Sequence, residues 1–232
     1  MFELMRLELR KSDIRKYIRA SIMASVLFIG FIYFVAYVAQ VEQEADFQQY
    51  ANIYLLTSTI CMIFFSILTA VMYCRFVITE YTGRQLILLL SYPINRKKIL
   101  LSKILLVVCF STVAMIASMI PPFVVFSLTE SVLPIVQDTL TVDLLLSLIK
   151  TFLIFTCCMN CIGLIAMRIG FIKKSIPTTI LTAIILCAVF GNVLMALFGN
   201  DLLNLVFLGG MIVIVVVVAL DLMKEVNRLE VK

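Results

Sequence analysis

Residues 204–222 read "NLVFLGGMIVIVVVVALDL", an apolar run whose only charged residue, Asp221, lies near its end. A helix needs about 20 predominantly apolar residues to cross the hydrocarbon core of a bilayer, and this run has that length and composition. The rest of the chain is similar, since 63% of its residues are hydrophobic and its mean hydropathy is +1.13. Soluble domains are closer to half apolar. The sequence therefore predicts an integral membrane protein.

Five further apolar runs of comparable length precede this one, so we predict an all-α membrane protein with six transmembrane helices. Residues 1–232 form a single transmembrane domain in this interpretation. The spans are predicted at about 19–40, 51–75, 101–127, 143–167, 176–192 and 204–222.

Residues 1–18 contain no uninterrupted apolar run, but their apolar and basic side chains separate onto two faces. We predict an amphipathic helix that lies along the inner membrane surface and then turns into the first span. The apolar face comprises Phe2, Leu4, Met5, Leu7, Leu9, Ile14 and Tyr17, and the basic face comprises Arg6, Arg10, Lys11, Arg15 and Lys16.

Three local signals indicate helix ends and irregularities. Pro121 and Pro122 are expected to kink the third span, because each proline removes a backbone donor. Ser175 and Pro177 suit the start of the fifth span as an N-cap and a first-turn proline. Residues 193–203 are apolar but interrupted by Gly199, Asn200 and Asp201; a shallow re-entrant turn is one interpretation, which the sequence does not decide.

The basic residues predict the orientation of the chain. Eighteen of the 19 Lys and Arg precede the first span or lie in residues 75–103, 168–174 and the tail, and Lys150 is the exception. By the positive-inside rule, both termini, the segment 80–103 and the turn 168–174 are cytoplasmic, and the protein is a multi-pass plasma-membrane protein.

The opposite loops carry acidic residues and no basic ones. These acids either attract cationic peptides or remain simply because Lys and Arg are excluded from outer loops, which is the interpretation we favour. They are Glu42, Glu44, Asp46, Glu130, Asp138, Asp143 and Asp201.

Several kinds of chemistry are absent from the sequence. The chain has no histidine, which excludes Ser-His-Asp catalysis and zinc sites built on histidine ligands. None of its eight glycines is followed by lysine, so there is no phosphate-binding G-x-x-x-x-G-K-[ST] loop. We therefore predict no catalytic residue, no metal site and no cofactor bound by this chain, and an intramembrane enzyme is a weak alternative.

Residues 80–103, "EYTGRQLILLLSYPINRKKILLSK", form neither a span nor an ordinary loop. The stretch is too short and too charged to cross a bilayer, yet its apolar centre is long enough for about two helical turns. Pro93 is expected to end these turns. An apolar helix at the inner surface either lies on lipid as an interfacial elbow or buries its apolar residues against a partner.

This stretch resembles the first inner loop of the permease subunits of type-2 ABC transporters, particularly small six-span forms that export peptides or give immunity to antimicrobial peptides. The resemblance rests on Glu80, Thr82 with Gly83, the apolar turns 86–90, Ser91 with Pro93, the basic cluster 96–98, and Lys103. It covers the whole chain in the order of its helices, but is specific in sequence only over 80–103.

The resemblance implies that residues 80–98 form a cytoplasmic coupling helix between spans two and three, which we call the coupling segment. Such a helix docks into a groove of a separate ATP-binding subunit. The implied ATPase-coupling residues are Glu80, Tyr81, Thr82, Gly83, Arg84, Leu86, Leu88, Leu89, Ser91 and Pro93. Glu80 and Arg84, one helical turn apart, would pair with each other or with the partner.

The implied function is that of the membrane subunit of an ATP-driven exporter, which moves peptides or other amphipathic compounds, including antimicrobial peptides. ATP and Mg would bind to two partner ABC ATPase subunits, and a second permease copy or paralogue would complete the path. No nucleic-acid partner is expected. The alternative is a non-transporting membrane anchor or sensor subunit that recruits a cytoplasmic partner through the same segment.

Polar residues inside the spans are candidates for the substrate path. Lys150 either lines the path, snorkels outward or pairs with Asp143. Asn160 and Asn192 either line the path or form hydrogen bonds between helices.

Overall fold

The computed structural model describes residues 13–42, 49–81, 96–132, 142–197 and 199–227. These residues form six α-helices and contain no β-strand. The helices are α1 (Ile14–Glu42), α2 (Tyr50–Tyr73, continued by a π-helical turn at Cys74–Ile78), α3 (Arg96–Val132), α4 (Val142–Lys173), α5 (Ile176–Ala196) and α6 (Asp201–Asn227).

Each of the six helices is long and apolar enough to cross a membrane, which confirms the predicted fold class. The candidate spans are Ile14–Val41, Tyr50–Ile78, Lys98–Glu130, Leu146–Lys173, Ile176–Ala196 and Leu202–Lys224. A chain that crosses lipid satisfies its backbone N–H and C=O groups within each segment, and an α-helix does so through its own hydrogen bonds.

The helices extend beyond the apolar runs that predict them. Helix α3 has 37 residues and includes Pro121 and Pro122, past which it continues to Val132. At about 1.5 Å per residue it is roughly 55 Å long, well over the ~30 Å hydrocarbon core. The apolar pattern marks the part of a helix that suits lipid, whereas the hydrogen-bonded backbone continues into polar sequence.

Helix α1 begins before the predicted start of the first span. Residues 14–18, assigned from sequence to the interfacial helix, are part of one continuous helix that runs from Ile14 to Glu42. The remainder of the predicted interfacial helix, residues 1–12, lies outside the described part of the chain.

The start of α5 agrees with the predicted helix start. Ser175 is the N-cap residue and Pro177 lies in the first turn, as expected, although the Ser175 hydroxyl makes no capping bond. At the other end, residues 193–196 complete α5 and residues 201–203 begin α6, so these parts of the 193–203 stretch are helical. The positive φ of 86° at Gly199 allows the chain to reverse within this short connection.

The described residues divide into two compact units. Unit I contains residues 15–62 and 113–156, which include α1 and parts of α2, α3 and α4. Its core is aromatic: Tyr54 packs edge-on against Phe123 and Phe126, with ring centroids 4.6 and 5.8 Å apart. In the same unit the Ser118 hydroxyl donates to the Ser21 carbonyl at 3.1 Å, which joins α3 to α1.

Unit II contains the described residues of 63–112 and 157–232, which include α5, α6 and the remaining parts of α2, α3 and α4. Helices α2 and α4 approach closely because Gly163 has no side chain; a Cβ there would lie 2.6 Å from Thr69 Cγ2. Arg168 of α4 donates to Asp221 of α6 at 2.6 Å. The α2 residues that precede the coupling segment belong to this unit.

Candidate functional site

The last turn of α2 is π-helical, and it positions the first two residues of the coupling segment. The Thr79 N–H donates to the Cys74 carbonyl at 2.9 Å, five residues back, and its hydroxyl donates to the same oxygen at 2.8 Å. The N–H groups of Glu80 and Tyr81 both donate to the Val77 carbonyl, at 3.1 and 3.0 Å. π-Turns inside α-helices are frequent at functional sites.

Glu80 forms a buried ion pair with Lys103, the residue that the resemblance places at the start of the third span. The Lys103 ammonium donates to Glu80 Oε2, and the two side chains are only 1% and 15% exposed. Lysine is rarely so buried unless it is paired. The pair fixes the end of α2 to α3, and loss of either partner would leave a buried charge.

Tyr81 connects the same segment to α4. Its ring packs edge-on against Phe171 with centroids 5.5 Å apart, and both side chains are buried. Such aromatic pairs contribute about 0.5–1.5 kcal/mol beyond their buried area.

Gly170 brings α4 and α5 against the π-turn. A Cβ at Gly170 would overlap the Thr179 hydroxyl and lie 2.8 Å from Ile78 Cδ1. The Cys74 thiol lies 3.8 Å from the Ile176 carbonyl, a further contact between the π-turn and α5. Glycine is thus required here for a close approach of three helices.

These contacts define an anchor cluster, which consists of Glu80, Tyr81, Lys103, Gly170 and Phe171. It connects the start of the coupling segment to α3 and α4, and through Gly170 to α5.

Only two of the predicted ATPase-coupling residues, Glu80 and Tyr81, lie in the described part of the chain. The others, Thr82, Gly83, Arg84, Leu86, Leu88, Leu89, Ser91 and Pro93, lie outside it, so their docking role and the Glu80–Arg84 pair stay predictions.

The three candidate path residues have different environments. The Asn160 amide bonds to α3, accepting from the Ser111 hydroxyl at 3.1 Å and donating to Thr112 Oγ1 at 2.9 Å. Asn192 is exposed and donates to the Ala188 carbonyl of its own helix at 2.8 Å. Lys150 is exposed on α4, and it belongs to unit I rather than unit II.

Hydrogen bonds within the protein explain the presence of Asn160 and Asn192 in the spans without any contact to a substrate. Interhelical amide bonds of this kind stabilise transmembrane helix pairs by about 0.6–2 kcal/mol. Asn160 bonds to α3 and Asn192 bonds within α5, and a role for these residues in the path stays a prediction. Among the described residues, no three His, Cys, Asp or Glu side chains are placed to share a metal ion.

Six apolar spans define a multi-pass membrane protein. The sequence model described as "ABC-2 family transporter protein" matches residues 4–189, and the chain belongs to this family. Members of the family are membrane subunits of transporters and generally work with ABC ATPase subunits, so the chain is a transporter subunit rather than a catalytic chain.

A curated relative is also similar over most of its length. The "Uncharacterized protein YcbO" of Bacillus subtilis (strain 168) is 25% identical over 183 residues, which cover 79% of this chain and 80% of the relative. No solved structure matches significantly.

Sequence reasoning identified Glu80 and Lys103 as parts of a motif, but not as each other's partner, since 23 positions separate them. It missed Gly170 and Phe171, although both lie in "RIGFIKK", the turn assigned to the cytoplasm. A glycine one turn before a helix end is a weak signal of close packing, because end glycines also serve as caps.

Proposed function

We propose that this chain is the permease subunit of an ATP-driven exporter in the plasma membrane, with both termini in the cytoplasm. A separate ABC ATPase binds the coupling segment, and a second permease copy or paralogue completes the translocation path. The cargo is a peptide or another amphipathic compound, including antimicrobial peptides. Membership of the ABC-2 family and the six spans support the transporter class, while the distribution of Lys and Arg supports the orientation.

The observation that carries the proposal is the buried Glu80–Lys103 pair at the base of the coupling segment. A loop that merely rested on lipid would not require a fixed base. A coupling element does, because force applied to its tip reaches the spans only if its base is rigidly attached to them.

The mechanism follows from the anchor cluster. When nucleotide binding closes the ATPase pair, the docked segment moves with it. The Glu80–Lys103 pair transmits the motion to α3 and the Tyr81–Phe171 contact transmits it to α4. ATP and Mg remain on the partner subunit. This chain contributes the coupling segment, the anchor cluster and the membrane path.

The small size of the chain and its resemblance to peptide exporters support the peptide cargo. The acidic outer loops would also attract cationic peptides, although the exclusion of Lys and Arg from such loops explains their charge without a cargo. Neutralising Glu42, Glu44 and Asp46 tests that attraction; unchanged export of a cationic peptide would exclude it.

The decisive experiment is mild detergent purification of the wild type and of Leu88→Glu, followed by mass spectrometry of the co-purifying proteins. Leu88 lies in the apolar turns of the coupling segment, so a charge there should release the ATPase. The matched control is Lys224→Glu, which places the same side chain on an exposed residue at the polar end of α6.

An ABC ATPase that co-purifies with the wild type and the control, but not with Leu88→Glu, supports the exporter. If no ATPase co-purifies with the wild type, or if it remains bound to Leu88→Glu, the coupling role is wrong. The anchor or sensor alternative then replaces it.

A further inference from the structure

The connection between α4 and α5 consists of Lys174 and Ser175 alone. Lys174 has a φ of 48°, and it is the one non-glycine residue with positive φ in the described part of the chain. Left-handed backbone geometry brings the Cβ atom of an L-residue too close to the following carbonyl oxygen, so glycine is usual at this position.

The hydrogen bonds identify the turn as a Schellman motif. The Ser175 N–H donates to the Gly170 carbonyl at 3.2 Å, and the Lys174 N–H donates to the Phe171 carbonyl at 3.3 Å. This motif places Lys174 at the C′ position, where glycine would avoid the steric penalty. The chain therefore has a cationic side chain at a position where an uncharged glycine would fit better.

The turn is also held firmly. The Thr179 hydroxyl donates to the Ser175 carbonyl at 3.1 Å, and Thr179 packs against Gly170 without room for a Cβ. Phe171 is buried against Tyr81. Lys173 and Lys174 are exposed on this rigid base, and neither ammonium forms an ion pair with any residue whose position is described.

The ends of the α4 and α5 spans place Lys173 and Lys174 at the membrane surface. The α4 span ends at Lys173 and the α5 span begins at Ile176, so both lysines lie where two apolar helices leave the hydrocarbon region. The neighbouring Ile172 and Ile176 are 55% and 44% exposed, as expected of side chains that face acyl chains. A two-residue connection cannot project far enough to fill a groove on a soluble protein.

We propose that the α4–α5 turn binds the phosphate of an anionic phospholipid through Lys173 and Lys174, with Ile172 and Ile176 against its acyl chains. Basic residues at the membrane surface attract anionic lipid headgroups. The rigid turn holds the backbone of both lysines in place, so little backbone freedom is lost when the lipid binds.

The site has a consequence that rests on the proposed function. Phe171 contacts Tyr81, so a lipid that binds to the turn also restrains the start of the coupling segment. Anionic lipid should then increase the substrate-stimulated ATPase activity of the assembled transporter.

The test is native mass spectrometry of the detergent-purified full chain, titrated with phosphatidylglycerol or with phosphatidylcholine of the same acyl chains. The wild type should retain phosphatidylglycerol preferentially. In Lys173→Gln/Lys174→Gln, its apparent affinity should fall roughly 30-fold. The matched control is Arg15→Gln/Arg19→Gln, which removes the same charge from exposed residues of α1 that belong to no rigid turn and should lower the affinity much less.

Single variants at Lys174 separate charge from backbone strain. Lys174→Arg should retain the preference. Lys174→Gly should raise the thermal midpoint, because the steric penalty disappears, and should still lower phosphatidylglycerol affinity.

An unchanged lipid preference in the double glutamine variant overturns the proposal, as does an equal loss in the α1 control. If the double variant loses a co-purifying ATPase while keeping its lipid preference, the turn is a protein-docking site and the lipid assignment is wrong. Lipid retention is measured on the isolated chain, so a failure of the exporter proposal leaves this readout unaffected.

Discussion

At the scale of single residues, the Glu80–Lys103 pair makes the clearest prediction. Glu80→Gln leaves the Lys103 ammonium, 1% exposed, without its carboxylate. Removal of one partner from a buried pair costs about 3–5 kcal/mol. We expect the thermal midpoint in detergent to fall sharply, and Lys103→Gln to have a similar effect.

The exposed Arg168–Asp221 pair is the control for this experiment. Its side chains are 17% and 56% exposed, so Asp221→Asn should cost less than about 1 kcal/mol. Equal losses in Glu80→Gln and Asp221→Asn would show that the Glu80–Lys103 pair does not anchor the segment.

Gly170 makes a second prediction, since it has no room for a side chain. The added methyl group in Gly170→Ala would overlap the Thr179 hydroxyl, and overpacking of this kind costs about 1–3 kcal/mol. Gly209→Ala is the control, because no heavy atom lies within 4 Å of an added Cβ there. Thermal unfolding of both variants checks this, and an unaffected Gly170→Ala variant would contradict the packing described here.

In unit I, the buried carboxylate of Glu130 provides a third prediction. The Tyr50 hydroxyl donates to Glu130 Oε2 at 2.8 Å, and Tyr50→Phe removes this bond to a buried acid. The loss of a hydrogen bond at a buried polar group costs about 1–3 kcal/mol. The Tyr33 hydroxyl, which bonds to Thr129 Oγ1 and to the Val125 carbonyl, is less buried, so unfolding measurements should find Tyr33→Phe the milder change.

At the scale of helices, the π-turn of α2 determines where Glu80 points. A π-turn contains one residue more than an α-turn, so deletion of one residue from it should restore α-helical geometry and leave Glu80 facing Lys103. Arg75 is the best residue to delete, because its side chain is exposed and little packing is lost. Deletion of Arg75 should therefore destabilise the chain much less than Glu80→Gln.

Arg75→Ala is the control, since it removes the same side chain without shortening the chain. Adding Glu80→Gln to the deletion should cost about as much as in the wild type, because the ion pair is still present. A loss from the deletion as large as that of Glu80→Gln, with little further loss in the double variant, would show by thermal unfolding that the register is not kept.

The helices also show how far sequence reasoning reaches. All six spans were predictable, because runs such as 204–222 have a composition that only lipid or a large core accommodates. The helix ends were less so: α3 begins at Arg96 and ends at Val132, beyond the predicted 101–127. Hydropathy measures preference for lipid, and a helix continues wherever its backbone bonds are satisfied.

The anchor cluster was only partly predictable for a different reason. Its motif residues Glu80 and Lys103 were visible in the sequence, but their pairing depends on how α2 packs against α3. Local rules such as the i, i+4 spacing of Glu80 and Arg84 cannot detect such a contact. Gly170 and Phe171 belong to a distant helix, and only the three-dimensional arrangement places them beside Ile78 and Tyr81.

For the whole molecule, the positive-inside rule predicts opposite sides for two short connections. A reporter enzyme that is active only outside the cell, fused after Lys173, should be inactive, whereas the same reporter fused after Gly199 should be active. Reporter activity in cells checks this, with a fusion after Lys232 as the inactive control. Equal activity of the first two fusions would contradict the predicted orientation.

The π-turn at Cys74–Ile78 has a consequence for the history of the chain. A helix accommodates a single-residue insertion by widening one turn, which leaves both flanking segments in their original registers. Ancestral chains without the extra residue would then have one position fewer between Tyr73 and Glu80, with no change in the spacing of neighbouring helices. If distant relatives lack one residue at this point, the insertion arose after they diverged from this chain. If all of them have the residue, the turn is as old as the family.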